Sequence, residues 1–160
     1  MIAKHDAGSI IALTAAIRER ANAFILEALA RRGVLDILPA HGAVLNALFH
    51  RAPLQMGAIA EATGRKKNTV TSVVNTLEQR GYCSREVDPA DARAQLIALT
   101  AKGEAMREIQ SEISGELLRK VWEGMDERER DSCIQSLRTI LNNLEKDAIP
   151  HKGKRGEKHE

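Results

Sequence analysis

Apolar residues recur with the spacing of a helix face over most of the chain. The first pattern predicts a helix from Ser9 to about Arg32, with steps of three and four residues: Ile10, Leu13, Ile17, Ala21, Phe24 and Ala28. A second helix is expected from Pro39 to about Arg51. Pro53 closes it, because proline cannot continue a helix.

The segment after Pro53 predicts two short helices joined by a turn. A minimal strand at Leu54-Gln55 leads into a first helix that contains residues 58–60 and ends at Gly64. A second helix is expected from about Lys67 to Arg80, and Gly81 supplies its left-handed stop. Its apolar stripe, which should face the core, consists of Val70, Val73, Val74 and Leu77.

Two strands are expected after these helices. Tyr82–Val87 and Ala94–Leu99 alternate like strands, and the segment Asp88-Pro89-Ala90-Asp91 between them is rich in turn formers. The order helix, turn, helix, hairpin is that of a winged helix-turn-helix. This fold places one helix in the major groove of DNA.

Helices are again predicted after the hairpin. Thr100 can cap a helix that runs to about Trp122, and Asp126 with Glu129 forms a capping box for a last helix. Apolar residues of the last helix have the spacing of a helix–helix seam: Ile134, Leu137, Leu141, Leu144 and Ala148. The predicted fold is therefore mainly α, a winged helix-turn-helix with a two- to three-stranded antiparallel sheet between N- and C-terminal helices.

The two amphipathic ends of the chain predict a homodimer. A small central lobe cannot cover both apolar stripes, and a second copy is the simplest partner, although the two ends could also pack on each other. The chain is predicted to start with a disordered segment (1–8) and an N-terminal dimerisation helix (9–35), followed by the winged lobe (36–100). C-terminal dimerisation helices (101–149) and a disordered basic tail (150–160) are expected after the lobe.

Charge and cysteine content indicate the kind of ligand and the cellular compartment of the protein. The net charge of +2 does not suggest nucleic acid, but four basic residues against the one acid Glu78 lie between Gly64 and Arg80. The two cysteines, Cys83 and Cys133, form no disulfide framework and fit a reducing cytosol. The N-terminal apolar run is too short to span a membrane, so a cytoplasmic protein without a membrane partner is expected.

The helix from Lys67 to Arg80 carries short polar side chains opposite its apolar stripe. Asn68, Thr71, Ser72 and Asn75 suit the edges of bases, and asparagine can pair bidentately with adenine. Lys67 and Thr69 at the helix start suit phosphate oxygens. The alternative is a solvated polar face of an ordinary helix.

The hairpin turn adds a cation beside this helix. Arg93 follows Asp91 by two residues, and its guanidinium suits the narrow, electronegative minor groove of DNA. Asp91 could orient this guanidinium through a bidentate pair. The alternative is a simple turn salt bridge, which contributes about 0–1 kcal/mol when exposed.

Three segments together resemble the MarR family of bacterial transcriptional regulators: Arg65-Lys66-Lys67-Asn68-Thr69-Val70-Thr71, Leu77-Glu78-x-x-Gly81-Tyr82, and Asp88-Pro89-x-Asp91-x-Arg93 followed by Leu99-Thr100-x-x-Gly103. The helix order agrees from roughly Ser9 to Ala148. The resemblance implies a homodimer with interlocking terminal helices and two winged heads on a pseudo-palindromic operator. It also implies that the helix starting near Lys67 is the recognition helix and that Arg93 is the arginine of the wing.

Two residues depart from the family pattern. Lys66 stands where many relatives have serine, so Asn68 or water must cap the recognition helix. Ala92 stands where many relatives carry a basic residue, so the affinity of the wing is expected to rest on Arg93 alone. The candidate DNA-binding residues are Lys66, Lys67, Asn68, Thr69, Thr71, Ser72, Asn75, Asp91 and Arg93.

These features predict a sequence-specific regulator of transcription, a repressor, that binds a double-stranded DNA operator. Relatives commonly bind small aromatic or phenolic effectors, so release by an effector is a further expectation. No catalytic motif, cofactor motif or metal-ligand set occurs, and no enzyme activity is expected. Two alternatives remain, a redox-responsive regulator acting through Cys83 and a winged-helix module that binds protein.

Overall fold

The computed structural model of the chain describes residues 8–146, which form six helices and a three-stranded sheet. This confirms the predicted mainly α fold with a small antiparallel sheet. The predicted disordered segments and Ala148 lie outside the described residues, apart from Gly8. In order, the elements are α1 (Ser9–Arg31), α2 (Pro39–Arg51), β1 (Leu54–Gln55), α3 (Met56–Thr63), α4 (Lys67–Gln79), β2 (Cys83–Asp88), β3 (Asp91–Leu99), α5 (Ala101–Val121) and α6 (Glu127–Lys146).

The chain divides into two compact units between Arg119 and Lys120. The first unit holds α1 through β3 and most of α5. The second holds the end of α5 and the whole of α6. The predicted domain boundaries at residues 36 and 101 remain predictions.

Local signals in the sequence end the helices of the lobe where expected. α3 stops at Gly64, which adopts a left-handed φ of 61°. α4 stops before Gly81, whose φ is 75°. There, the backbone N–H of Tyr82 donates to the carbonyl of Leu77 at 2.9 Å, a bond that closes the end of the helix. The two glycines thus set the turn of the helix-turn-helix and the start of the hairpin.

The helices after the hairpin begin at the predicted caps. The hydroxyl of Thr100 accepts the backbone N–H of Gly103 at 3.1 Å, at the start of α5. Asp126 and Glu129 each accept the other's backbone N–H at 2.9 Å, which confirms the capping box of α6.

The sheet has the strand order β1-β3-β2 and is antiparallel throughout. The predicted four-residue turn is wrong in its bounds, because Asp88 and Asp91 pair across the hairpin and leave only Pro89 and Ala90 between the strands. The carboxylate of Asp88 accepts the backbone N–H of Ala90 at 2.9 Å, and this bond lowers the pKa of Asp88. Arg93 therefore lies within strand β3 rather than in the turn.

A single apolar core holds the lobe together. Its largest fully buried side chains come from α2, α3, α4 and β3: Val44, Leu45, Leu48, Ile59, Val70, Val74, Leu77 and Ile97. The start of α5 approaches this core closely. A Cβ at Gly103 would lie 2.0 Å from the carbonyl oxygen of Tyr82, so only glycine fits there. The inner side of α4 is held in this core by Val70, Val74 and Leu77.

Several large apolar side chains of two other helices are exposed. In α1 they include Ile11, Leu13 and Ile17, and in α6 they include Leu137, Leu141 and Leu144. Within residues 8–146 no helix combines the length and the apolar character that crossing a membrane requires. Two long helices, α1 in the first unit and α6 in the second, therefore expose apolar stripes.

Candidate nucleic-acid interface

The recognition helix α4 presents its polar side to solvent, as predicted. Val70, Val74 and Leu77 are fully buried, and Val73 is 9% exposed. The opposite side carries the predicted contact residues. Asn68, Thr69, Ser72 and Asn75 are exposed, and Thr71 is half-buried. The apolar stripe therefore determines which side of α4 is available to a ligand.

The start of α4 combines exposed cations with an uncapped helix end. Lys66 is the N-cap residue and Lys67 the first helical residue, and both side chains are exposed. The predicted capping by Asn68 is wrong. Asn68 lies inside the helix, and within residues 8–146 no side chain makes a capping hydrogen bond at this end. The first backbone N–H groups of α4 are thus left for water or for a phosphate oxygen.

Arg93 projects from the wing, the hairpin of β2 and β3. The predicted bidentate pair with Asp91 is wrong, because the carboxylate of Asp91 instead accepts the backbone N–H of Arg93 at 2.9 Å. Both residues are exposed. In the described part of the chain the side chains of Lys66, Lys67 and Arg93 join no ion pair. Their charges are therefore available to an anionic partner.

Two polar residues of the outer side of α4 already have partners within the chain. The hydroxyl of Thr71 donates to the carbonyl of Lys67 at 2.9 Å. The side-chain oxygen of Asn75 accepts a hydrogen bond from the guanidinium of Arg85, which also pairs with Glu78. The contact was not predicted, because no pattern in the sequence places a residue of β2 beside Asn75.

A cluster around Asp36 ties the end of α4 to its neighbours. The hydroxyl of Tyr82 donates to the carboxylate of Asp36 at 2.6 Å, and Arg80 donates to the backbone carbonyl of Asp36. The ammonium group of Lys102 lies 2.8 Å from the carbonyl oxygen of Arg80 and 3.5 Å from the Asp36 carboxylate. Arg80 is therefore part of the scaffold and does not add to the free positive charge beside the recognition helix.

The same cluster shifts the acid–base properties of its members. The hydrogen bond from Tyr82, aided by the charge of Lys102, holds the pKa of Asp36 below its ordinary value. Burial, together with the bond to Asp36, raises the pKa of Tyr82. Asp36 is therefore charged and Tyr82 neutral at physiological pH.

Cys83 lies beneath the recognition helix. Its side chain is buried, and its sulfur lies 3.8 Å from the carbonyl oxygen of Val74. Burial, with a further contribution from the charge of Glu78, raises the pKa of the thiol to about 11. A protonated, buried thiol reacts poorly with oxidants, which favours a structural role over the redox alternative.

A cavity of about 290 Å³ lies between α1, α2 and α5. Ile25, Leu29 and Ile113 contribute to its apolar lining, and Gln110 provides an amide group. The nitrogen of this amide donates to the carbonyl of Gly42 at 2.9 Å, whereas its oxygen is buried without a hydrogen-bond partner. Among the described residues that line the cavity, none is charged and none is aromatic.

Comparisons with known proteins point to one family and one fold. A sequence model of the MarR family matches residues 35–94, a range that contains all nine candidate DNA-binding residues. The chain is 27% identical to the transcriptional regulator HosA of Escherichia coli O111:H- over an alignment of 107 residues. This alignment covers 67% of this chain and 79% of HosA.

Two solved structures show the same fold. The S. aureus MepR–DNA complex matches with a TM-score of 0.75 and 25% identity, over 82% of this chain and 96% of MepR. Bordetella bronchiseptica BpsR, whose DNA binding is regulated by 6-hydroxynicotinic acid, matches with a TM-score of 0.73 and 23% identity, over 87% of this chain and 97% of BpsR. The winged helix-turn-helix fold is thus shared with these proteins.

Proposed function

Because this chain belongs to the MarR family of transcriptional regulators, we propose that it binds a pseudo-palindromic DNA operator as a homodimer and represses transcription. The observation that carries this proposal is the orientation of α4, whose apolar side is buried and whose polar side is exposed beside unpaired cations. Because its partner is genomic DNA, we expect the protein to act in the cytoplasm.

Each candidate residue has a role in this proposal. Base edges are contacted from the outer side of α4 by Asn68, Thr71, Ser72 and Asn75. Phosphate oxygens are bound at the start of α4, where the helix dipole and uncapped N–H groups attract anions, by Lys66, Lys67 and Thr69. Arg93 enters the minor groove, and Asp91 stiffens the wing through its bond to the Arg93 backbone.

The exposed apolar stripes support the homodimer. Ile17 is 60% exposed and Leu144 is 63% exposed, and large apolar side chains seldom remain in water along a continuous stripe. A second copy offers the same stripes in return, which a two-fold interface requires. The dimer would then present two recognition helices to successive major-groove segments about 34–36 Å apart.

The cavity between α1, α2 and α5 supports control by an effector. Its volume of about 290 Å³ lies near the lower end of ligand pockets, which range over about 300–1,000 Å³. The unpartnered oxygen of Gln110 is a hydrogen-bond acceptor in an uncharged lining. An uncharged molecule that carries a hydrogen-bond donor would satisfy it. Binding there would change the spacing of the helices and hence the separation of the two heads.

Selection of bound fragments from random duplex DNA tests the main proposal. We expect a two-fold symmetric consensus with half-sites centred about 10 base pairs apart. Ser72→Ala should weaken the preference at one position of each half-site. Ser111→Ala, at an exposed serine of α5, is the matched control and should leave the consensus unchanged. Enrichment of no sequence, or binding that is weak and independent of salt, would instead favour the protein-interaction module.

Titration of small molecules against the operator complex tests the effector. Uncharged compounds with hydrogen-bond donors should release the DNA, and Gln110→Leu should blunt the response because it removes the acceptor. A panel without any response would indicate a constitutive DNA-binding protein.

A further inference from the structure

Arg85 of β2 links the wing to the outer side of the recognition helix. Its guanidinium donates through Nη1 to the carboxylate of Glu78 and through Nη2 to the side-chain oxygen of Asn75. Glu78 lies one helical turn after Asn75, so the two acceptors are neighbours on α4. The guanidinium thus bridges two residues of one helix face.

The chemistry of arginine fixes the orientation of the Asn75 amide. A guanidinium offers only donors, so it can bond only the oxygen end of that amide. Glu78 offers only acceptors and holds the guanidinium in place. The side chains of Arg85 and Glu78 are 26% and 33% exposed, so this pair is partly shielded from water. Asn75 itself is exposed, and its amide nitrogen remains as its free polar end.

Asn68 provides an internal comparison. It is the other asparagine on the outer side of α4, and it is also exposed. In the described part of the chain its side chain has no hydrogen-bond partner, whereas the oxygen of Asn75 has one. Both ends of the Asn68 amide are therefore free for the bidentate pair that asparagine makes with adenine, whereas the oxygen of Asn75 is already bonded to Arg85.

We propose that Arg85 is a specificity-determining residue that acts through Asn75. By holding the oxygen of Asn75, it commits that oxygen to β2 and leaves the amide nitrogen as the group that contacts the base, so Asn75 favours guanine over adenine at its position in the operator. Guanine presents two acceptors, N7 and O6, in the major groove, whereas a bidentate pair with adenine needs a donor and an acceptor. This inference rests on the proposed DNA-binding function.

Arg85 acts as a positioning residue in this account. Both of its terminal nitrogens are already bonded to α4, and most of its side chain is covered. Its loss should therefore change one base preference without lowering affinity for all sequences. The loss of a phosphate contact would have the opposite effect.

Selection from random duplex DNA, run in parallel on several variants, tests the inference. Asn75→Ala first identifies the position that Asn75 contacts, because preference there should flatten. Arg85→Met removes the donors and keeps the aliphatic stem, so preference at that position should shift from guanine to adenine by about tenfold. The matched control Arg93→Met should lower affinity and leave the preference at the Asn75 position unchanged.

A double variant separates an indirect role from direct contact. In the Asn75→Ala background, Arg85→Met should cause no further change at the position. The same shift in that background would overturn the inference, because Arg85 would then contact the base itself. An unchanged consensus in Arg85→Met would also overturn it.

Two further controls keep the test decisive. Thermal unfolding followed by circular dichroism checks that Arg85→Met is folded. If it is not, Glu78→Gln, which loosens the guanidinium, should produce a smaller shift in the same direction, and no shift would contradict the inference. A wild-type protein that selects no consensus would instead contradict the proposed function.

Discussion

The recognition helix and the last helix carry similar amphipathic patterns but end in opposite environments. In α4 the apolar stripe is buried against α2, α3 and the sheet, whereas in α6 Leu144 remains 63% exposed. Only the first pattern is covered by other elements of its own unit. A hydrophobic pattern thus shows which face of a helix requires burial and does not show which molecule covers it.

The largest effect is expected where the partner lies outside the chain. Leu144→Asp should disrupt the proposed dimer. Burying a leucine contributes about 1.5–3 kcal/mol. A two-fold dimer buries one Leu144 from each subunit, so the substitution should weaken association by about 3–6 kcal/mol. The dissociation constant of the dimer should therefore rise at least roughly a hundredfold. Sedimentation over a concentration series measures this change.

Glu145→Gln is the matched control for that experiment, because it changes an exposed residue beside Leu144. Its dissociation constant should stay close to that of the wild type. Equal behaviour of the two variants would mean that the exposed stripe of α6 is not a dimer contact.

A somewhat smaller effect is expected where the partner lies within the chain. Leu77→Ala leaves a cavity beneath α4 and should lower the free energy of unfolding by about 2–5 kcal/mol. Urea unfolding at high protein concentration measures the loss. The matched change Leu118→Ala, at an exposed leucine of α5, should cost less. A Leu77→Ala protein as stable as Leu118→Ala would contradict the buried position of the stripe.

The polar cluster at the end of α4 offers a third, weaker test. Asp36→Ala leaves the buried hydroxyl of Tyr82 without its acceptor. This should lower the free energy of unfolding by about 1–3 kcal/mol. The control is the double variant Asp36→Ala with Tyr82→Phe, which removes donor and acceptor together. It should recover part of the loss, and no recovery would contradict the importance of this bond.

The same carboxylate makes stability depend on pH. The pKa of Asp36 is lower in the folded protein than its ordinary value, which is about 4. Its contribution is therefore fully present above the ordinary pKa and is lost as the pH falls through the lowered one. Asp36→Asn should weaken the decline of the unfolding free energy as the pH falls below about 4. Parallel declines in the wild type and the variant would exclude Asp36 as a source of this pH dependence.

The smallest effect concerns the wing, where the side chain of Arg93 is exposed. Arg93→Ala should weaken binding to all DNA sequences. It should also reduce the slope of log affinity against log salt by roughly 0.9, the value for one neutralised phosphate. Fluorescence anisotropy over a salt series measures both quantities. An unchanged slope would place Arg93 outside the interface.

Helical spacing predicted the parts of the fold that depend on neighbours along the chain. Val70, Val74 and Leu77 lie on one face because of the helical period alone, and Gly64 and Gly81 end helices through their own backbone freedom. Caps such as Thr100 were equally local. These features needed no knowledge of the tertiary structure.

The features that were missed depend on contacts between distant parts of the chain. The bond from Arg85 to Asn75 spans 10 residues, and the bond from Gln110 to Gly42 spans 68. The bond between the Asp91 carboxylate and the Arg93 backbone is a local exception, which lies in a hairpin whose turn is shorter than predicted. Spacing along a sequence does not determine which of several acceptors a donor finds in space.

Methylation protection on the selected operator tests most directly whether the outer side of α4 enters DNA. Dimethyl sulfate modifies guanine N7 in the major groove, so a bound recognition helix should shield it. The account predicts protection in two major-groove segments about 10 base pairs apart on one face of the duplex. Accessible guanines in both segments of a saturated complex, or protection confined to the minor groove, would contradict it.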